Sequence, residues 1–345
     1  MKIVSTWSSS YRWLIGRCLP VICLGFAFLA AAPANAATFA KGADVSWVDQ
    51  MEKSGIKFFD SSGNQQDLFT ILKGKGMTSI RLRVWVNPAG GWQNKADMIW
   101  MAQRAKNAGM RVMVDFHYSD SWADPGKQTK PAAWASHGIS QLYTDVWNHT
   151  TDVLNGLKAA GVTPEWVQVG NETNNGMLWN DGKASTSMSN FAGLITSGYN
   201  AVKSVFPSAK VIVHISNGYD NSLFRWMFDG LKANGAKYDV IGMSLYPTTS
   251  NWSTLTSQCL TNMKDMVSRY GKEVMISEVG MDVNSPTIAK SFLADIIAKT
   301  RSLSGGKGLG VFYWEPEAYN KWQGYTLGAF GTNGRPTVAL DAFLN

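Results

Sequence analysis

Residues 79–86 read Ser79-Ile80-Arg81-Leu82-Arg83-Val84-Trp85-Val86, and this β-rich run, with the segment that follows it, decides the fold. A helical pattern occupies residues 95–108 and ends at Gly109, the residue type that most often closes a helix. A second β-rich run begins at residue 111. Strand, helix and strand in this order predict one βα unit of a parallel sheet.

The same alternation recurs along the rest of the chain. The predicted strands cover residues 42–46, 79–86, 111–116, 166–169, 210–215, 240–245, 273–276 and 310–314, with helical patterns between them. Eight such strands without a linker predict a single α/β domain, a (β/α)8 TIM barrel over residues 37–345. A doubly wound sheet is the alternative, but it requires a glycine-rich turn after the first strand, and Asp44-Val45-Ser46-Trp47 is not one.

The first 36 residues have the pattern of a cleaved signal peptide. Lys2, Arg12 and Arg17 precede an apolar run at residues 19–32, and Ala34-Asn35-Ala36 is a small-x-small cleavage site. The apolar run is shorter than the roughly 20 residues that a membrane span needs. The sequence therefore predicts cleavage near Ala36 and a secreted protein, extracellular or periplasmic, with no membrane anchor after cleavage.

Composition excludes several classes of protein. Charged residues make up 17% of the 345 residues and hydrophobic residues 45%, with 15 tryptophans, so a disordered chain is excluded. Loss of the three basic residues of the signal peptide lowers the net charge from +7 to +4. Because no run of three Lys or Arg residues occurs, a nucleic-acid partner is not expected. The chain is expected to act as a monomer on a neutral partner.

Two glutamates follow predicted strands at the mouth of the barrel, where catalytic residues gather. Glu172 follows the fourth strand and Glu278 the seventh, so their side chains are expected to face each other across the mouth. Two facing carboxyl groups are what cleavage of a glycosidic bond requires. An ion pair with a neighbouring Arg or Lys is the alternative for either glutamate alone.

Longer motifs resemble one family. The segments 42–46, 81–88, 115–128 and 167–173, the last containing Gly170-Asn171-Glu172, resemble the endo-β-1,4-galactanase family within the large clan of retaining (β/α)8 glycosidases. The resemblance covers essentially the whole chain after residue 38. It implies a retaining endo-hydrolase of β-1,4-galactan, the side chains of pectin, with Glu172 as acid/base and Glu278 as nucleophile. It also implies that Asn171 hydrogen-bonds the sugar 2-hydroxyl.

Further polar residues are expected around the reacting sugar. Arg83 is predicted to pair with Glu278, and Arg81, which has the same strand parity, is the second candidate. His117, His214 and Tyr246 fit the hydrogen-bonding pattern of the clan; the alternative is that they are buried polar groups satisfied by the backbone.

Aromatic rings and a first-strand carboxylate complete the predicted site. Trp314 is expected to form the floor of the site, and Trp122 and Trp322 to form sugar platforms. Asp44 either binds sugar hydroxyls or caps a loop. For Trp47 and for Trp85, a position in the groove and a position in the core are both open. The mid-helix residues Trp100, Trp147 and Trp226 are interpreted as packing residues.

No cofactor and no metal are predicted. The loop at residues 279–286 has one Asp and one Asn, too few oxygen ligands for calcium. A zinc site would need His137 or His149 beside the two strand-end histidines, and neither follows a predicted strand. Two other functions stay open: hydrolysis of β-1,4-mannan, xylan or glucan by the same chemistry, and binding of polysaccharide without catalysis.

Overall fold

Eight parallel strands close into a barrel in the computed structural model, which describes residues 38–345. The strands pair in chain order and the last pairs with the first. Their bounds are β1 Ala40–Asp44, β2 Ser79–Val84, β3 Arg111–Phe116, β4 Trp166–Val169, β5 Lys210–Ile215, β6 Val240–Leu245, β7 Glu273–Val279 and β8 Gly308–Trp314. The predicted (β/α)8 barrel is confirmed, while the predicted signal peptide lies outside the described residues.

Helices cover the outside of the barrel. They are α1 Val48–Lys53, α2 Leu68–Gly74, α3 Lys95–Asn107, α4 Ile139–Ala159, α5 Met188–Val205, α6 Asn221–Ala233, α7 Trp252–Tyr270 and α8 Pro286–Arg301. The glycines predicted to close helices do so with positive φ, as at Gly109 (72°) and Gly271 (67°). After β8, the 3-10 helix Val338–Leu344 packs against α8.

The first predicted strand is displaced by two residues. It was expected over residues 42–46, but β1 ends at Asp44. The Asp44 carboxylate accepts hydrogen bonds from the backbone N–H and the hydroxyl of Ser46, at 3.1 and 2.6 Å. This side-chain capping turns the chain away from the sheet and towards α1, so Val45 and Ser46 do not continue the strand.

The barrel interior is apolar at the bottom and polar at the top. Every second residue of a strand points inwards, and the lower layers hold Met113, Trp166 and Phe312 in a separate apolar cluster. Two residues further along β3 and β4, the inward positions are Asp115 and Gln168, both fully buried. The apolar layers therefore close the lower end of the barrel, and the polar layers lie directly below the mouth.

One strand breaks the alternation at a point that matters for the site. In β6 and β7, Met243 pairs with Ile276, but the next pair is Ser244 with Glu278, so Ser277 is an extra residue in β7. Regular alternation would place Glu278 with Ile276 on the face towards the helices. The β-bulge reverses this parity and directs Glu278 into the mouth of the barrel.

The outer helical surface contradicts one prediction. Trp100, Trp147 and Trp226 are 43%, 38% and 43% exposed, so they are surface residues and the packing interpretation was wrong. The apolar stripe of α6 that faces the barrel includes Phe224, Met227 and Phe228, and residue 226 lies between them on the opposite face. No helix within residues 38–345 has the length and apolar character to cross a membrane.

Candidate active site

Glu172 and Glu278 line the same cleft at the mouth of the barrel, which has a volume of about 770 Å³. Glu172 follows β4 in a tight turn in which Gly170 and Glu172 have φ of 83° and 43°. The turn is fixed by the backbone N–H of Thr173, which donates to the carbonyl of His214 at 2.9 Å. The predicted meeting of the two glutamates in one cleft agrees with this geometry.

Glu278 is held by two donors. The guanidinium of Arg81 lies 2.8 Å from its Oε1, and the hydroxyl of Tyr246 donates to its Oε2 at 2.9 Å. The prediction that Arg83 pairs with Glu278 was wrong, and the second candidate, Arg81, makes this contact. Arg83 forms its ion pair with Glu315 instead, because its position lies one inward step nearer the strand end.

Arg81 is the centre of a buried polar network below the two glutamates. Its guanidinium contacts Asp44 at 2.7 Å and Asp115 at 2.8 Å, and it donates to Gln168 at 3.2 Å and to Asn171 at 2.9 Å. Burial opposes its charge, but the surrounding carboxylates outweigh burial and raise the pKa of Arg81 above its ordinary value. Arg81 is therefore a fixed cation beside Glu278, and it shares its charge with Asp44 and Asp115.

Glu172 receives a different kind of partner. The hydroxyl of Ser244 donates to Glu172 Oε1 at 2.7 Å, and Nε2 of His214 lies 2.8 Å from the same hydroxyl. Since the only proton of the hydroxyl goes to Glu172, His214 must donate to Ser244. Burial, followed by the charge of Arg81, lowers the pKa of His214 well below its usual value, so the ring is neutral.

Both Glu172 and Glu278 are buried with too little positive charge nearby to offset the cost of ionising them. Burial raises the pKa of Glu172, and the hydrogen bond from Ser244 opposes this only in part. Burial also raises the pKa of Glu278, with Arg81 opposing it and the charge of Glu172 adding to it. Two neighbouring buried carboxyl groups ionise in turn. The cation and the hydroxyl that contact Glu278 favour the negative charge there, and the proton on Glu172.

His117 is oriented by three contacts. Its Nδ1 accepts hydrogen bonds from the indole N–H of Trp85 at 3.1 Å and from the backbone N–H of Ala123 at 3.2 Å. Nδ1 is therefore unprotonated and the ring proton lies on Nε2, which is 3.0 Å from Asp115. His117 lines the cleft, and this arrangement links its wall to the network around Arg81.

Asn171 connects the same network to the cleft. Its side-chain oxygen accepts from Arg81, and its side-chain nitrogen donates to the carbonyl of Ala123 at 2.8 Å. The residue is 7% exposed and its exposed part lines the cleft beside Glu172. Its orientation is thus set from below before any substrate binds.

Aromatic rings from four strand ends form one wall of the cleft. Trp47, Trp85, Trp122, Trp314 and Tyr325 all line it and meet edge to face, with centroid separations from 4.7 Å to 5.9 Å. The predicted positions of Trp122 and Trp314 agree with this wall. Trp322, expected as a further platform, is not among the residues that line the cleft.

Arg83 lies beneath these rings. Its guanidinium carbon is 4.5 Å from the ring centre of Trp122 and 5.2 Å from that of Trp47. Glu315 pairs with Arg83 and also accepts the backbone N–H of Trp47 at 3.2 Å. The ion pair therefore anchors the aromatic wall from within the barrel.

Three residues expected to touch substrate lie below the cleft. Asp44 and His214 are 0% exposed and Arg83 is 1% exposed, so direct contact with a sugar is excluded for them in this conformation and those expectations are corrected. Each is on an inward position of its strand, and its polar groups are covered by buried partners. Asp44 caps the end of β1, the alternative that the sequence left open.

Sequence reasoning missed several residues of the site. Ser244, Gln168 and Asp115 carry the network but were not selected, although inward parity with His214 and Arg81 would have indicated them. Trp92, on the loop after β2, lines the cleft and had no distinguishing signal. Within residues 38–345, no three His, Cys, Asp or Glu side chains are grouped to hold a metal ion.

The chain is similar to known proteins over most of its length. The profile described as glycosyl hydrolase family 53 matches residues 40–343. A probable arabinogalactan endo-β-1,4-galactanase A of Neosartorya fischeri is 36% identical over 313 residues, 84% of this chain and 87% of that protein. A solved fungal β-1,4-galactanase superposes with a TM-score of 0.83 at 32% identity, covering 90% of this chain and 99% of that one. The family 53 catalytic domain of Ignisphaera aggregans gives a TM-score of 0.79 at 31% identity, with coverages of 88% and 95%.

Proposed function

Because this chain belongs to glycosyl hydrolase family 53, we propose that it hydrolyses internal bonds of β-1,4-galactan by a retaining double displacement. The observation that carries the proposal is the unequal environment of two carboxyl groups in one cleft. Glu278 contacts a buried cation, whereas Glu172 receives one neutral hydroxyl. The galactanase names of the relatives support galactan as the substrate.

In the first step, Glu278 acts as the nucleophile. One of its carboxylate oxygens bonds to the anomeric carbon while the bond from that carbon to the glycosidic oxygen breaks. Glu172 donates its proton to the departing oxygen, so the shortened chain leaves as a neutral alcohol. Arg81 opposes the rise in the pKa of Glu278 that burial causes and so favours the ionised form needed for this attack, and Tyr246 fixes the direction of its second oxygen.

In the second step, the roles of Glu172 reverse. Its carboxylate takes a proton from water, the water oxygen bonds to the anomeric carbon, and the bond to Glu278 breaks. Two inversions at one carbon give overall retention. The raised pKa of Glu172 suits both halves, because a group that holds its proton near neutrality also takes one back readily.

The surrounding residues are proposed to hold the sugar. Asn171 lies beside Glu172 and is the candidate partner of the 2-hydroxyl group. Trp314 and Trp122 offer apolar ring faces to the C–H faces of a pyranose. His117 lines the same cleft. A neutral polysaccharide suits this lining, since all but four of the residues that line the cleft are uncharged and no Lys or Arg is among them.

The remaining assignments complete the proposal. Residues 1–36 act as a cleaved signal peptide and residues 37–345 as the catalytic barrel. The mature enzyme is secreted, works as a monomer, and binds neither nucleic acid nor membrane. The apolar run and cleavage site before Ala36 and the absence of a run of basic residues support this assignment.

A substrate panel with two matched variants tests the proposed function. Purified protein is expected to release oligosaccharides from β-1,4-galactan, and much more slowly or not at all from β-1,4-mannan, xylan and glucan. Glu278→Gln should lose several orders of magnitude in kcat on every substrate while still binding galactan. Glu172→Gln should lose much less in kcat/KM, which reports the first step, on an aryl galactoside with a good leaving group, which needs no proton.

Activity on mannan or xylan without activity on galactan would contradict the substrate. Equal losses in kcat/KM for Glu172→Gln on activated and natural substrates would contradict its role as the acid. A Glu278→Gln protein with unimpaired turnover would remove the nucleophile from the mechanism.

A further inference from the structure

The cleft is also lined by the loop between β2 and α3, and β2 is not a neighbour of β4 or β7, the strands of the two catalytic carboxyl groups. This loop, residues 85–94, contributes Trp92, Gly90 and neighbouring residues to the cleft wall, and Gln50 of α1 contributes from the adjacent strand end. Trp92 and Gln50 are both half-buried, so each has one side in the fold and one side in the cleft. Neither contacts Glu172 or Glu278 through a hydrogen bond or an aromatic pair.

The loop holds Trp92 in one position through its neighbour Gln93. The backbone N–H of Gln93 donates to Asp97 at 2.5 Å, and its carbonyl accepts from the N–H of Trp85 at 2.8 Å. Its side-chain amide donates to the carbonyl of Ser46 at 2.9 Å. Gln93 has φ of 57°, a conformation that a non-glycine residue keeps only when its surroundings fix it. These contacts therefore fix the conformation of the loop next to Trp92.

An exposed cation lies beside the indole ring itself. Lys53 Nζ lies 5.2 Å from the ring centre of Trp92 and is held by Asp49 at 2.7 Å. Lys53 is not among the residues that line the cleft, so it covers the ring from outside. The ring surface that Trp92 contributes to the cleft is left for a ligand.

We propose that Trp92 and Gln50 form a distal sugar subsite, which binds a galactose unit of the polymer remote from the bond that is cut. This proposal rests on the proposed galactanase function. The indole ring offers a flat apolar surface for the C–H face of a pyranose, and the Gln50 amide offers a donor and an acceptor for hydroxyl groups. Such a subsite favours long chains, because short oligosaccharides cannot reach it while they occupy the catalytic centre.

The test compares kcat/KM on short and long β-1,4-galacto-oligosaccharides and on galactan. Trp92→Ala is expected to lose about tenfold on the long substrates, the size of one aromatic contact, and to match the wild type on the shortest. Trp92→Phe should keep most of the activity on long chains. Trp226→Ala removes an equally large exposed ring from α6, away from the cleft, and should follow the wild type throughout.

The outcomes separate the subsite from the proposed function. A wild-type enzyme that cuts galactan, with a Trp92→Ala variant that loses the same factor at every length or loses nothing, overturns the subsite alone. A wild-type enzyme that cuts no galactan contradicts the proposed function, and the subsite falls with it. Loss for Trp92→Ala that Trp92→Phe does not restore would also overturn the stacking role.

Discussion

At the scale of single residues, the two oxygens of Glu172 are not equivalent. Oε1 accepts the hydroxyl of Ser244, and that hydroxyl is itself oriented by His214. A proton on Glu172 therefore belongs on Oε2, the oxygen without this donor. The chain from His214 through Ser244 is thus a positioning device that leaves Oε2 to carry the acidic proton.

Ser244→Ala should change the pH dependence of the reaction in a defined direction. The hydrogen bond from Ser244 stabilises the ionised form of Glu172, so its removal raises the pKa of Glu172 further. The alkaline limb of kcat/KM, which reports loss of the acidic proton, should move to higher pH. We also expect kcat on galactan to fall about tenfold because the carboxyl group loses its orientation. Steady-state kinetics across pH measure both effects.

Ser277→Ala is the matched control for that variant. Ser277 is buried on the neighbouring strand, and its hydroxyl has no hydrogen-bond partner within residues 38–345. Its replacement should leave the alkaline limb where it is. An alkaline limb that stays fixed in Ser244→Ala, or moves to lower pH, would show that Ser244 does not act on Glu172.

The incorrect prediction that Arg83 pairs with Glu278 shows what the sequence of a single strand does not determine. Arg81 and Arg83 both occupy inward positions of β2, as the alternation predicts, and both are buried. Which of them meets Glu278 depends on height within the barrel, and that height is set by strand tilt and by the β7 bulge. Neither the strand tilt nor the β7 bulge can be predicted from the sequence of β2.

At the scale of elements, the bulge in β7 decides the chemistry. The sequence placed Glu278 after a strand that ends at residue 276, but β7 continues to Val279, so Glu278 lies within the strand, where regular alternation would have turned it towards the helices. The extra residue Ser277 restores the inward direction. A bulge is visible only in the pairing of two strands, so no single run of residues could have predicted it.

The aromatic wall is also a property of several elements together. Rings from the ends of β1, β2, β3 and β8 surround Arg83, and the Arg83–Glu315 ion pair holds them from below. The sequence indicated most of these tryptophans but not their shared anchor. The Arg83–Glu315 ion pair could not be predicted because it forms only when the closed barrel brings the first and last strands together.

Arg83→Met should weaken both stability and substrate binding. It leaves the carboxylate of Glu315 buried without its cation, which costs about 3–5 kcal/mol in the free energy of unfolding. The KM for galactan should rise because the wall loses its support. Chemical denaturation and steady-state kinetics measure the two effects.

The double variant Arg83→Met, Glu315→Gln should recover part of the lost stability, because no uncompensated charge remains. Arg269→Met removes one partner of the exposed pair with Asp229 and should change stability far less. Arg83→Met with unchanged stability and unchanged KM would contradict the anchoring role.

At the scale of the whole molecule, stability and chemistry occupy different layers of one barrel. The lower interior is an apolar cluster, and the polar network and the catalytic pair lie in the upper layers. The alternation of strand and helix predicted this architecture because each unit is local in sequence. The site combines residues from nearly every strand, so its outline was predictable from strand ends but its internal pairing was not.

The central claim, a retaining galactanase with two carboxyl groups in unequal roles, is tested most directly by the anomeric form of the first product. Galactan or a β-1,4-galacto-oligosaccharide is mixed with the enzyme, and proton NMR records the new reducing end before mutarotation. Double displacement through Glu278 predicts that the β-anomer appears first and the α-anomer only later. Initial release of the α-anomer would mean direct attack by water and would contradict the account.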